Sequence, residues 1–207
     1  MEYAFIHNPK TGGETIEILL NIKKNHDYPS NRNDLQNKFS FVFVRNPITR
    51  LISWYNHLRK GLYFKDIQTN NLNNRSECYN LLKKKIKLGP EKHRILAENN
   101  NIDEWIRIIL TNKEYYSEPC WGPLSYQYNY VFDNNGTQLV NKICKFENYK
   151  NELTEVLIKL NKNDKINQIE KTNHSINKSN RLQNDTIELI YEYFKKDFIA
   201  FDYTIEY

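Results

Sequence analysis

Two short stretches near the N-terminus combine basic side chains, hydroxyls and glycines in a pattern that is typical of phosphate binding. The first contains Lys10, the pair Gly12-Gly13, and the hydroxyls of Thr11 and Thr15. Glycine lets the backbone turn so that several N–H groups face one anion, while lysine and threonine add charge and hydrogen bonds. An ordinary turn between a strand and a helix would explain the glycines alone. The lysine and the flanking threonines favour a cradle for a phosphate-like group.

The second stretch places Arg45 at the end of an apolar run and Ser53 about two turns later along the chain. An arginine can hold a phosphate through two parallel N–H groups, and a serine hydroxyl can donate a further hydrogen bond. A strand-end ion pair for Arg45 and a solvent-facing position for Ser53 are the structural alternatives. Together, the two stretches predict a site for an anion with two separated phosphate groups.

Each stretch follows a candidate strand and opens a candidate helix, so the local elements position both cradles. Residues 3–6 and 39–44 are short apolar runs typical of buried strands. Asn46 and Pro47 are typical residues for an N-cap and a first helical position. The alternation of strand and helix over residues 3–60 predicts an α/β fold. We expect a central parallel sheet flanked by helices, in a P-loop-like architecture.

The length of 207 residues favours one domain with its own core, which we place at residues 1–207. Residues 61–130 are expected to form a helical, loop-rich insert. Residues 138–146 should return to the sheet, and residues 153–160 and 186–198 have the spacing of amphipathic helices.

The first stretch is not a Walker A loop, because that motif places lysine after the last glycine whereas Lys10 precedes both. A nucleoside-triphosphate enzyme also usually has an acidic residue at the end of a second strand to hold Mg²⁺, and here Arg45 occupies that place. Both features count against a P-loop kinase, which is kept as an alternative function. A nucleotide-binding module without activity is a second alternative.

Composition narrows the class of protein further. The net charge of +5 and the pI near 8.9 suit an enzyme for an anionic cofactor, and no nucleic-acid recognition motif accompanies them. The three cysteines, Cys78, Cys120 and Cys144, have no C-x-x-C spacing, so we expect no metal site and a reducing compartment. No signal peptide or membrane span is visible, which predicts a cytoplasmic protein.

The two stretches resemble those of the sulfotransferases that use 3′-phosphoadenosine 5′-phosphosulfate (PAPS). The resemblance is closest to the small branch related to carbohydrate and heparan-type sulfotransferases, and it is weak between about residues 60 and 130. The segments that carry it are FIHNPKTGGETI at 5–16, FVFVRNPITRLISWYNHL at 41–58, KFENY at 145–149, Asn173, Ser175 and IYEYFKKDFIAFDY at 190–203.

The resemblance implies that PAPS is the sulfate donor and that adenosine 3′,5′-bisphosphate (PAP, or 3′,5′-ADP) is the product, with no metal required. It assigns the first stretch to the 5′-phosphosulfate, and Arg45 and Ser53 to the 3′-phosphate. The implied acceptor is a hydroxyl, with a carbohydrate as the expected class and a tyrosine or small-molecule hydroxyl as the alternatives. Residues 61–130 would shape the acceptor side. Glu14 stands where the family commonly has a small hydroxyl residue. At the first turn of a helix we expect it to point outward.

Sulfuryl transfer needs a base for the acceptor hydroxyl and a group that stabilises the charge developing on the bridging oxygen of the donor. Lys10, beside the cradle, is the candidate for the second role. His26 is the candidate base, because it lies between the two stretches, where related carbohydrate enzymes place a histidine, and because imidazole titrates near neutral pH. A surface-loop histidine is the alternative. His7 is expected to orient the loop, with a hydrogen bond to the donor as the alternative. Glu147 is expected to tie a strand end to the second stretch, and Glu14 and Glu147 are the alternative bases.

Overall fold

The computed structural model describes residues 1–23, 25–59, 90–116, 122–172 and 181–207. Its backbone divides into two compact units. The first comprises Met1–Arg50, Cys120–Ser179 and Phe194–Tyr207, and the second comprises Leu51–Pro119 and Asn180–Tyr193. Much of the predicted insert, together with Cys78, Cys120, Asn173 and Ser175, lies outside the described residues. The assignment of residues 1–207 to one domain stays a prediction.

The first unit contains a parallel sheet of three strands. These are β1 (Tyr3–Ile6), β2 (Phe39–Val44) and β3 (Lys142–Lys145), in the order β1-β2-β3. Phe43 of β2 lies opposite Cys144 of β3. All six residues of β2 are buried, as expected for a central strand that is covered on both faces. The predicted α/β fold with a central parallel sheet is therefore confirmed, and β3 is the strand expected within residues 138–146.

Helices make up most of the remaining regular structure. In chain order they are α1 (Gly13–Leu20), α2 (Pro47–Arg59), α3 (Pro90–Asn99), α4 (Ile102–Thr111), α5 (Lys113–Tyr116), α6 (Tyr149–Lys159) and α7 (Asn184–Ala200). Short 3₁₀ helices cover Pro29–Asn31, Asn33–Leu35, Gln127–Tyr130, Phe146–Asn148 and Asn163–Thr172. The two amphipathic helices expected in the C-terminal half are α6 and α7, and both begin earlier than predicted. In the described parts of the chain, no helix is long and apolar enough to cross a membrane.

Alternation along β2 supplies the two cores of the first unit. Phe41 and Phe43 belong to a buried cluster with α1 and α6, and Val42 and Val44 belong to a second cluster with Tyr130 and its neighbours. Because neighbouring strands share this alternation, the sheet is fixed in register by burial on both faces. The carboxyl ends of β1 and β2 are thereby held side by side.

The first helix begins directly at the glycine pair. Gly12 is its N-cap residue, with φ of 84°, and Ile16, Leu19 and Leu20 are buried in the core. Glu14 is exposed in the first turn, where a carboxylate interacts favourably with the helix dipole. The expected outward orientation of Glu14 is confirmed.

In the second unit, His93 of α3 is buried among aromatic rings. Its ring centroid lies 4.8 Å from that of Trp54 and 5.2 Å from that of Tyr115. Its Nδ1 has no hydrogen-bond partner among the described residues. Burial, assisted by the charge of Lys92, lowers the pKa of His93 to about 4. The folded state therefore favours the neutral imidazole.

This histidine predicts an acid-sensitive stability. An unfolded imidazole binds its proton near pH 6.5, so the stability from neutral His93 is present at pH 7 and is lost as the pH falls towards 4. At pH 5 the loss amounts to about 2 kcal/mol relative to pH 7. Urea unfolding, followed by tryptophan fluorescence, measures the free energy of unfolding. Between pH 7 and pH 5, this free energy should decrease less in His93→Phe than in the wild type. The same decrease in both proteins would contradict the assignment.

Candidate active site

Residues 8–13, which lead from the end of β1 into the first residue of α1, are called the Lys10 loop below. Lys10 and Gly12 both adopt left-handed backbone conformations, with φ of 67° and 84°. Such a conformation is costly for lysine, by about 1 to 2 kcal/mol, so the surroundings must impose it. Part of the restraint is internal, because the buried Thr11 hydroxyl donates to the carbonyl oxygen of Asn8 at 2.7 Å.

Both glycines of the loop lie against side chains that leave no room for a Cβ atom. A Cβ at Gly12 would lie 2.5 Å from Cε2 of Tyr149, whose hydroxyl donates to the Gly12 carbonyl oxygen at 2.7 Å. A Cβ at Gly13 would meet the ring of His7. Thr15, two residues further on, is buried as well. Close packing thus requires glycine at both positions, and the left-handed backbone of Gly12 is a further reason at that position.

Arg45 extends from the end of β2 towards the Lys10 loop. Its Nη1 donates to the Lys10 carbonyl oxygen at 3.3 Å, and its Nε donates to Thr49 Oγ1 at 3.0 Å. The guanidinium also stacks on the Phe146 ring, 4.2 Å from the centroid. Burial lowers the pKa of Arg45 to about 10, against the opposing effect of the Glu147 charge. Arg45 therefore remains a cation at neutral pH, and the two predicted cradles meet through it.

A pocket of about 380 Å³ adjoins Arg45. It is lined by Arg45, Asn46, Thr49, Phe146, Glu147 and the C-terminal residues 202–204 and 206–207. The Nη2 atom of Arg45 donates to no residue in the described parts of the chain. A charged guanidinium with N–H groups still available, next to a pocket of this size, is suited to holding an anion.

Glu147 fixes the start of α2. One carboxylate oxygen accepts from the Asn46 backbone N–H and the other accepts from the Tyr203 hydroxyl, each at 2.8 Å. The Asn46 side chain caps the helix by accepting from the Ile48 N–H at 2.9 Å. The prediction that Glu147 ties a strand end to the second cradle is confirmed.

Gln127 joins the two cradles from a distant part of the chain. It is fully buried, and its Oε1 accepts from Asn8 Nδ2 and from the Arg45 backbone N–H, each at 2.9 Å. Its Nε2 donates to the Arg45 carbonyl oxygen at 2.6 Å. Gln127 thus hydrogen-bonds to both the N–H and the C=O of Arg45. Arg45 follows the end of β2, where no neighbouring strand among the described residues pairs with these two groups.

Arg50 and Asp197 complete this buried network. The Arg50 guanidinium donates to Pro9 O, Ser125 O and Asn8 Oδ1, at 2.9 to 3.0 Å. Burial lowers the pKa of Arg50, and the nearby charge of Asp197 opposes that effect. Asp197 accepts from two backbone N–H groups at the start of the 3₁₀ helix that carries Gln127. No pattern in the sequence predicts a role for the side chains of Gln127, Arg50 and Asp197.

The two histidines near the loop are close together. His7 Nδ1 lies 2.5 Å from Glu17 Oε1, and both side chains are largely buried. His26 Nδ1 lies 3.0 Å from the His7 carbonyl oxygen, and the two ring centroids are 4.2 Å apart. The candidate base therefore lies next to the Lys10 loop, and the catalytic roles of His26 and Lys10 stay predictions.

Ser53 lies in α2, one turn after Thr49, but it belongs to the second unit. Its assignment to the 3′-phosphate stays a prediction, as do the ligand roles of Lys10, Thr11, Gly12, Gly13, Thr15 and Arg45. All of these residues except Ser53 lie in the first unit.

The structure shows an α/β protein in which the Lys10 loop and Arg45 lie together at the carboxyl ends of two parallel strands. Residues 7–204 match the family model described as the sulfotransferase family. The chain belongs to this family of PAPS-dependent sulfotransferases, which confirms the predicted enzyme class. No curated protein and no solved structure gave a match.

The packing at Gly12 generates a prediction with a matched control. Gly12→Ala adds a methyl group against Tyr149 and forces alanine to a left-handed φ, so we expect a lower melting temperature and loss of PAP binding. Gly136→Ala imposes the same φ of 84°, but its Cβ would have its nearest contact at 3.5 Å, with the Tyr128 hydroxyl. It should cost about 1 to 2 kcal/mol of stability and leave PAP affinity unchanged. Equal PAP affinities in the two variants would contradict this account of the loop.

Proposed function

We propose that the protein transfers the sulfuryl group of PAPS to an acceptor hydroxyl, with a glycan as the acceptor class, and releases PAP. The observation that carries the proposal is the contact between Arg45 and the Lys10 carbonyl oxygen at 3.3 Å. This contact brings the Arg45 cation, at the end of β2, to the Lys10 loop, which follows β1. PAP and PAPS are anions with two phosphate-type groups on one nucleoside, which matches two adjacent cradles.

The Lys10 loop is suited to the 5′ group of the donor. Backbone N–H groups at the start of α1 and the Lys10 ammonium provide hydrogen bonds and positive charge at a helix N-terminus. Arg45, with its available Nη2 and the adjoining pocket of about 380 Å³, is suited to the 3′-phosphate. The available Nη2 atom of Arg45 and the pocket beside it support this fit.

The proposed chemistry is an in-line transfer in which the protein mainly positions and stabilises charge. His26 takes the proton of the acceptor hydroxyl while the acceptor oxygen forms its bond to sulfur. The bond between sulfur and the bridging oxygen of the donor breaks, and Lys10 stabilises the negative charge that this oxygen gains. The held geometry lowers the entropic cost of bringing donor and acceptor together.

The glycan class of the acceptor rests on the resemblance of the Lys10 loop and the α2 segment to carbohydrate sulfotransferases. The kinase alternative is disfavoured by Arg45, because a cation at the end of β2 repels the Mg²⁺ that an ATP enzyme needs.

Calorimetric titration tests the donor site. PAP should bind the wild type in preference to ATP with Mg²⁺, and Arg45→Ala should weaken PAP binding on the order of 100-fold, as expected for the loss of a charge-assisted phosphate contact. Arg107→Ala is the control, since Arg107 is an exposed arginine paired with Asp185 in the second unit.

A preference for ATP with Mg²⁺ would favour the kinase and refute the proposal. PAP binding that is equally strong in the wild type and in Arg45→Ala would remove Arg45 from the donor site. Binding of PAP with no sulfuryl transfer to any glycan in a broad panel would favour the module without activity.

A further inference from the structure

Three residues form a chain of contacts that leads from α1 to the candidate base. Glu17 contacts the His7 ring, and the His7 main chain contacts the His26 ring. We propose that Glu17 and His7 are positioning residues that hold His26 as its Nδ1–H tautomer, with Nε2 as the proton acceptor. The inference rests on the proposed function only in giving His26 the role of base.

The tautomer follows from the hydrogen bond at 3.0 Å between His26 Nδ1 and the His7 carbonyl oxygen. A carbonyl oxygen only accepts, so Nδ1 must carry the hydrogen. In a neutral imidazole the lone pair then lies on Nε2, on the opposite side of the ring. A base needs its lone pair fixed in direction, and a hydrogen bond at the other nitrogen is the usual way to fix it.

The carbonyl group is in turn held in place by the His7 side chain. That ring is buried, with Nδ1 at 2.5 Å from Glu17 Oε1, and side-chain exposures of 5% for His7 and 12% for Glu17. A carboxylate oxygen likewise accepts, so His7 donates from Nδ1. The ring fills the space beside Gly13 that a Cβ atom would need, which joins it to the start of α1.

Packing between the two rings adds a second restraint. The ring centroids of His7 and His26 are 4.2 Å apart, with an angle of 57° between the planes. If the His7 ring loses its hydrogen bond to Glu17, its contact with the His26 ring changes, and so does the direction of the His7 carbonyl group. The orientation of His26 therefore depends on Glu17, a residue that makes no contact with the acceptor in this mechanism.

The experiment reads the tautomer directly. Long-range ¹⁵N–¹H correlation spectra distinguish Nδ1–H from Nε2–H imidazole, and His26→Gln identifies the His26 signals among the five histidines of the chain. In the wild type at pH 8, the Nδ1–H form of His26 should predominate. In Glu17→Ala it should give way to the Nε2–H form, which is the usual one in water.

Two matched variants separate positioning from general damage. Glu17→Gln keeps an oxygen that accepts from His7 Nδ1, so it should retain the wild-type tautomer. Glu14→Ala removes an exposed carboxylate from the same helix and should also leave the tautomer unchanged. Once a glycan acceptor is found, kcat should fall about tenfold or more in Glu17→Ala, while PAP affinity stays within about twofold of the wild type.

An Nε2–H tautomer of His26 in the wild type would overturn the inference without any variant, so it remains testable even if Glu17→Ala does not fold. An unchanged Nδ1–H tautomer in folded Glu17→Ala would overturn it as well. The spectra need neither donor nor acceptor. Failure of PAP to bind the wild type would refute the proposed function instead, so the two failures are distinguishable.

Discussion

The site depends on the hydrogen bonds of one buried side chain, Gln127. Its amide satisfies the N–H and the C=O of Arg45 and also accepts from Asn8 of the Lys10 loop. Backbone groups at the end of a central strand are buried, and leaving one without a partner costs about 1 to 3 kcal/mol. The amide therefore fixes the end of β2 and the Lys10 loop relative to each other. Neither cradle can move far without breaking this arrangement.

Charge reinforces the same constraint. The fully buried Arg50 holds the loop through Asn8 and Pro9, and the Asp197 carboxylate compensates its charge from α7. Burial raises the pKa of Asp197 to about 6, opposed by Arg50 and by two backbone N–H groups. Asp197 thus remains mostly ionised at neutral pH. Removing either charge would leave the other buried with less compensation, so the network favours a single geometry. This rigidity supports the left-handed conformation of Lys10, which is unfavourable by itself.

The parts of the fold that local sequence determines were predictable. Strand residues 3–6 and 39–44, the cap at Asn46 and the glycine turn each follow from short-range patterns of burial, capping and backbone conformation. Arg45 and the Lys10 loop were recognisable as candidate anion cradles for the same reason. The N-terminal ends of α6 and α7 were predicted less well, because the first turn of a helix carries little apolar periodicity.

The network itself was not predictable, because its members are far apart in the sequence. Gln127 is 82 residues from Arg45, and an isolated glutamine has no pattern that distinguishes it from a surface residue. Arg50 lies in α2 where an exposed arginine is equally common, and only the fold reveals its burial. Asp197 offers the one usable signal, a carboxylate among the apolar residues Phe194, Phe198 and Phe201 of the terminal segment. That signal indicates a buried acid but not its partner.

Calorimetric titration of PAP into Gln127→Met tests most directly whether this amide holds the two cradles together. Methionine keeps the volume and removes the hydrogen bonds to Arg45 and Asn8. Gln138→Met is the control, because Gln138 is exposed and its Nε2 also donates to a carbonyl oxygen, that of Val140. The account predicts that a folded Gln127→Met binds PAP at least about tenfold more weakly than the wild type, while Gln138→Met binds it equally well. Wild-type affinity in a folded Gln127→Met would contradict it.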